Sequence, residues 1–172
     1  MIKVGILTIS DKGWQGERRD KSGEVLKEYF SSPEGSVVKY AVVPDETDAI
    51  AGKLSGWADE GSVDVILTTG GTGLAERDVT PEATLAVVDK VVPGLAEAMR
   101  ARTFAITPTA ILSRAVAGVR AKCLIINLPG SPKAVRECLE VILPVIPHAV
   151  EIIQGVVTEH EAPHHEAEAN AD

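Results

Sequence analysis

Two aspartates and a run of small residues are the parts of this 172-residue chain best suited to chemistry. Asp78 lies in the stretch "TTGGTGLAERDVTPEAT", which begins at Thr68, and Asp45 follows Pro44 in "VVPDET". Gly70, Gly71 and Gly73 permit positive φ and close backbone approach to a ligand. Successive amide N–H groups in such a loop form an anion-binding nest. A helix starting near Thr80 would point its positive end the same way. The loop lacks both the Lys-Ser/Thr ending of a Walker loop and the spacing of a dinucleotide fingerprint. With no lysine, a polyphosphate needs charge from elsewhere, and Asp78 suggests a Mg²⁺ ion shared between one or two carboxylates and substrate phosphates. The bland alternative is a turn that needs glycines.

Other candidates are weaker one by one. Asp45 can be a plain helix N-cap. Ser10, Asp11 and Asp20 lie in the polar loop "SDKGWQGERRD" and can be turn formers or solvated charges. "LPGSPK" reads as a strand-to-helix turn capped by Ser131, or as an anion cradle at Gly130. Arg77 and Arg114 are candidate anion binders or surface charges. His160, His164 and His165 cluster in an acidic tail with no packed shell to orient them, and solvated tail is the preferred reading. His148 falls in a proline-kinked helix and reads as structural.

The elements that must position these residues follow from periodicity. Apolar runs at 2–9, 36–43, 63–69 and 122–128 predict strands. The first loop is expected to be non-helical. Helices are predicted after Ser22, after Asp45 and Thr47, and after Thr80 with Pro81 at the first helical position. The last of these is expected to run on through "ATLAVVDKVV". "PGLAEAMRART" predicts a further helix, and "TPTAILSRAVAGVR" a short helix passing into a strand or hairpin. A long helix follows Ser131, broken or kinked at Pro144 and Pro147. The alternation predicts an α/β fold with a mostly parallel sheet. Ligands of such sheets bind outside the carboxyl ends of strands, where all the loops named above fall.

Composition bounds the reading. One domain is expected over residues 1–156, followed by an acidic, aperiodic tail at 157–172 that predicts disorder. Hydrophobic residues make up 45% but aromatics only 3%, so Val, Ile, Leu and Ala must build the core. The formal charge of -8 argues against nucleic acid, which requires a basic face. Cys123 and Cys138 show no metal or redox spacing and read as one strand and one helix residue in a reducing compartment. With no signal-peptide pattern and no membrane-length apolar run, the expected location is the cytoplasm.

Taken together, "VILTTGGTGLAERDVTPEATLAVVDKVVPGLAEAMR", "TISDK…DKSG", "VVPDE" and "TPTAILSRAVAGVR…LIINLPGSPKAV" resemble the molybdenum-cofactor biosynthesis family. That family includes bacterial molybdopterin adenylyltransferases and the G domains of gephyrin-type proteins. The resemblance runs from Lys3 to about Gly155. It implies a three-layer α/β/α domain, usually trimeric, that adenylylates molybdopterin with MgATP and passes the product to a molybdate-insertion enzyme. It implies that Asp45 and Asp78 are the catalytic and Mg²⁺-binding aspartates, and that Thr69, Gly70, Gly71, Thr72 and Gly73 take the nucleotide. Ser113 and Arg114, with Pro129, Gly130, Ser131 and Lys133, would hold the pterin and its phosphate, and Ser10 and Asp11 would lie at the mouth. A binding-only or scaffold member of the family is the alternative, and a nucleotide-binding protein of another pathway is a third reading.

Overall fold

The computed structural model describes residues 1–31 and 35–156. Most of the expected "SSPEG" turn and the whole tail lie outside them. Among the described residues six strands form one sheet: β1 (Ile2–Ile9), β2 (Gly35–Val43), β3 (Val65–Thr69), β4 (Lys90–Val91), β5 (Ala117–Arg120) and β6 (Cys123–Leu128). Their spatial order is β2-β1-β3-β6-β5-β4. β2, β1, β3 and β6 are mutually parallel, while β5 and β4 add an antiparallel extension beyond β6. The expected α/β class and mostly parallel sheet are therefore present.

Helices cover both faces, so the central strands need apolar side chains in both directions. All of β3 and β6 is buried, as is Val4–Ile9 of β1. Even and odd positions divide between two cores. On one face Val4, Ile6, Leu67 and Ile126 pack with Leu26, Leu139 and Ile146, which come from α2 (Lys21–Tyr29), α6 (Pro132–Ile142) and α7 (Ile146–Gln154). Met99 of α5 (Pro93–Phe104) joins them. On the other face Leu7, Ile66 and Ile125 meet Ile50, Leu54 and Trp57 of α3 (Thr47–Asp59) and Ala83 of α4 (Thr80–Leu85).

The break in the final helix falls as expected. A 3₁₀ segment, Leu143–Val145, separates α6 from α7 because Pro144 lacks an amide to continue the ladder. Cys138 and Cys123 are the anticipated helix and strand residues, both buried and unpaired. His148 lies exposed on α7, 3.8 Å from Glu151.

Four local expectations are corrected. The first loop contains one helical turn, α1 (Asp11–Trp14), because the Ser10 side chain accepts the Gly13 N–H and caps it. Asp20, not Ser22, caps α2, and Ser22 donates its hydroxyl to the Gly130 carbonyl instead. Thr80 is inside α4 rather than its cap, since its hydroxyl is committed to the Gly70 carbonyl. That helix stops at Leu85, and the following residues turn back to pair as β4 with β5.

Candidate functional site

The strand order reverses between β1 and β3, because the chain leaves β1 for β2 on one side and returns to β3 on the other. Such a switch point opens a crevice at the carboxyl ends of the two strands. Gly70 sits in it with φ +99, and a Cβ there would lie 2.3 Å from the Ile9 carbonyl oxygen. Gly71 follows at φ +66, where a Cβ would lie 2.3 Å from the Thr80 hydroxyl. Only glycine fits this double turn. It is fastened from both sides: Gly70 N–H donates to Leu128 O at 3.2 Å, Thr69 Oγ1 to Pro129 O at 2.7 Å, and Thr80 N–H to Gly71 O at 3.1 Å.

The second half of the loop hangs on Arg114. Its backbone N–H donates to Thr72 O at 2.9 Å, and its guanidinium donates to the Gly73 and Asp78 carbonyls and pairs with Glu82. One side chain thus holds both ends of the Gly73–Asp78 segment. The Asp78 carboxylate turns inward and accepts the Ala75 N–H at 2.9 Å. A Cβ on Gly73 would stand 2.7 Å from Asp78 Oδ2, so this glycine makes room for the carboxylate.

Asp45 is not the helix cap, a position held by Glu46. It is joined to Asp11 by two reciprocal bonds. Asp11 N–H donates to Asp45 Oδ2 at 2.8 Å, and Asp45 N–H donates to Asp11 Oδ1 at 3.0 Å. Burial pushes the Asp45 carboxyl up, with the charges of Asp11 and Asp78 acting in the same direction. Asp11 moves the other way, held below the usual carboxylate range by hydrogen bonds from Arg77. Asp45 Oδ1 looks across at Gly71, 3.4 Å from where a Cβ would be. Each carboxylate thus lies against a glycine of the loop, Asp45 against Gly71 and Asp78 against Gly73. Hard oxygen donors, at most two from protein, suit a divalent cation that completes its shell with phosphate and water. Among the described residues, no three Asp, Glu, His or Cys side chains gather into a cage that could hold a metal by itself.

Two clefts open from this crevice. The larger, about 780 Å³, is lined by Gly71, Thr72, Gly73, Asp78 and Ser113 together with Pro129, Gly130, Ser131, Lys133 and part of α5. The smaller, about 420 Å³, is lined by Thr8, Ser10, Thr69, Gly70, Arg18, Arg19 and Lys21. Gly130 borders both. Of the candidates, Asp11, Asp45 and Arg114 line neither cleft. They stand behind the lining, where Asp11 and Arg114 fasten the loops that form it. Arg77 likewise gives its guanidinium to Asp11. Sequence reasoning missed Arg18, Arg19 and Lys21. The signal was present in "GERRDK", a basic run in a loop already placed at the carboxyl end of a strand.

Comparison with protein families matches residues 5–148 to the "Probable molybdopterin binding domain". The molybdopterin adenylyltransferase of Helicobacter pylori strain J99 is 49% identical over 158 residues, covering 90% of this chain and 89% of that protein. The enzyme of the same name from Escherichia coli K12 is 38% identical, covering 92% and 88%. Among solved structures, the molybdopterin biosynthesis enzyme MoaB of Thermus thermophilus superposes with a TM-score of 0.85 at 54% identity, covering 90% of this chain and 98% of that one. A glycine-rich turn at the sheet's switch point, flanked by two aspartates, is thus carried on the same fold as these proteins, and the chain belongs to the molybdopterin-binding family of molybdenum-cofactor biosynthesis.

Proposed function

We propose that the protein is a molybdopterin adenylyltransferase that joins molybdopterin to the adenylyl group of ATP. The observation that carries this reading is the meeting of two clefts at Gly130, which abuts Gly70, beside the loop against which Asp45 and Asp78 lie. A two-substrate transfer needs two neighbouring sites that share one reacting point. The homologous adenylyltransferases support the chemistry.

An oxygen of the molybdopterin phosphate attacks the α-phosphorus of ATP. A new P–O bond forms, the bond to the α,β-bridging oxygen breaks, and pyrophosphate leaves. The nucleophile is already an anion, so no strong base is required, and catalysis rests on positioning and charge. The loop amides from Gly71 to Gly73 and the cations Arg18, Arg19 and Lys21 offer donors to the phosphates. Ser113, Ser131 and Lys133 line the larger cleft and orient what binds there. Asp45 and Asp78 would hold Mg²⁺, which when bound offsets the negative charge of the two substrates. The homotrimer, the cytoplasmic location and the hand-over to a molybdate-insertion enzyme belong to the same reading. Exposed Phe104, Ile106, Ile111 and Leu112 give self-association an apolar surface.

The test is to mix the purified protein with molybdopterin and MgATP and follow pyrophosphate. Release dependent on both substrates is expected. Molybdopterin binding without release would replace the enzyme by a binding or scaffold member. ATP binding that ignores molybdopterin would move the protein to another pathway.

A further inference from the structure

The Asp11–Asp45 pair has a third member. Arg77, next in sequence to Asp78, reaches across and donates Nε to Asp11 Oδ2 at 2.6 Å and Nη2 to Asp11 Oδ1 at 2.8 Å. Asp11 Oδ1 is the same oxygen that accepts the Asp45 N–H. The result is one connected chain, Asp45–Asp11–Arg77–Asp78, in which the last link is the peptide bond. It ties together the loops after β1, β2 and β3. Its ends are the two carboxylates beside the glycine turn.

Stability does not explain the arrangement. The Arg77 side chain is 58% exposed and that of Asp11 33%. Ion pairs this exposed add little to folding. A two-pronged arginine–carboxylate pair does fix geometry, because the planar fork allows one orientation. Each remaining contact in the chain is local and directional. Asp11 can accept from Asp45 and from Arg77 together only while the three loops keep their spacing.

We propose that Arg77 and Asp11 are positioning residues: an exposed latch that sets the separation and orientation of Asp45 and Asp78. This deepens the adenylyltransferase reading and rests on it. Arg77 then acts through Asp11, not on substrate phosphate, and Asp11 acts through Asp45, not at the cleft mouth.

The test uses R77M, R77K, D11N and the double variant D11N/R77M. Amide hydrogen exchange at Asp11 and Asp45 is read first, without substrates. Faster exchange at both amides in R77M, with an unchanged thermal midpoint, is expected; unchanged exchange overturns the latch. Pyrophosphate release is read second. R77M and D11N should each lose between about 10- and 100-fold in kcat, with the KM for molybdopterin and for ATP within about twofold, because misplacement penalises the transition state more than binding. The double variant should fall no further than the worse single, since both substitutions open the same latch. Additive losses, or a raised KM at constant kcat, would make the two residues separate substrate contacts and overturn the proposal. R77K keeps the charge without the fork, so wild-type kcat in that variant also overturns it. A wild-type protein that releases no pyrophosphate removes the adenylyltransferase reading, while the exchange experiment still decides whether the latch exists.

Discussion

Asp45 and Asp78 carry the same functional group in different surroundings. Asp45 is half-buried behind the loops and raised by that burial, while Asp78 lines the larger cleft and is held by a neighbouring amide. Because Asp78 contributes one loop hydrogen bond and no core packing, Asp78→Asn should cut pyrophosphate release by at least about 100-fold. Its thermal midpoint should move by no more than about 2 °C. Steady-state kinetics beside a melting curve checks both, and retained turnover would remove Asp78 from the chemistry. Asp78 stood out in the sequence beside the glycine run, whereas Asp45 read equally well as a helix cap and was singled out by the family resemblance. The duties of Arg114 and Asp11 were not legible. Their partners include main-chain groups of Gly73, Asp78 and Asp45, which leave no residue type or spacing to read, and the side chains of Glu82 and Arg77, which lie 32 and 66 residues away.

At the scale of elements, the apolar runs of β1, β3 and β6 and the amphipathic repeat of α6 were readable because burial repeats with the period of the element. Caps were less so. Ser22 and Thr80 have cap-forming side chains, but each donates to a carbonyl outside its own helix, at Gly130 and Gly70. These bonds reach 108 and 10 residues along the chain, beyond the three-residue spacing of a cap, so local pattern does not register them. Asn127 is the clearest case. Fully buried in β6, it donates to Thr68 of β3 at 3.1 Å and to Thr84 of α4 at 2.9 Å, and its Oδ1 accepts the Val116 N–H at 3.3 Å. Asn127→Ala leaves those groups unsatisfied in the interior and should cost about 1–3 kcal/mol. Urea unfolding measures it, and a loss below about 0.5 kcal/mol would show that the groups find other partners.

Over the whole molecule, charge sets the response to pH. Asp11, Asp59, Glu60 and Glu82 are each held below the ordinary carboxylate range, first by hydrogen bonds from Arg77, Arg120, Lys39 and Arg114 respectively. A lowered folded-state pKa adds stability above the unfolded value and loses it as pH falls through the folded one. Asp45, raised by burial, acts in the opposite sense: its charged form is disfavoured at neutral pH and the penalty eases on acidification. Four groups outnumber one, so stability should be level near neutrality and fall below about pH 4. Urea midpoints across that range test this, and a midpoint rising toward pH 3 would reverse the balance. Residues 159–172 add acidic charge but none of the described site residues. Their removal should leave turnover and sedimentation unchanged, and a change in either would give the tail a function.

Gly130 approaches Gly70 so closely that a Cβ on it would lie 3.4 Å from the Gly70 Cα, and both clefts border it. The boundary between them is therefore a saddle of bare main chain at Gly130, where on the adenylyltransferase reading the phosphoanhydride of the product would cross. A methyl group at Gly130 would stand in contact with Gly70 and raise the saddle by one side chain. Gly130→Ala has no positive φ to strain it, so the protein should fold and still bind each substrate alone, while the product that must span both sides is no longer made. Separate binding titrations beside a turnover assay would distinguish a blocked crossing from a damaged basin.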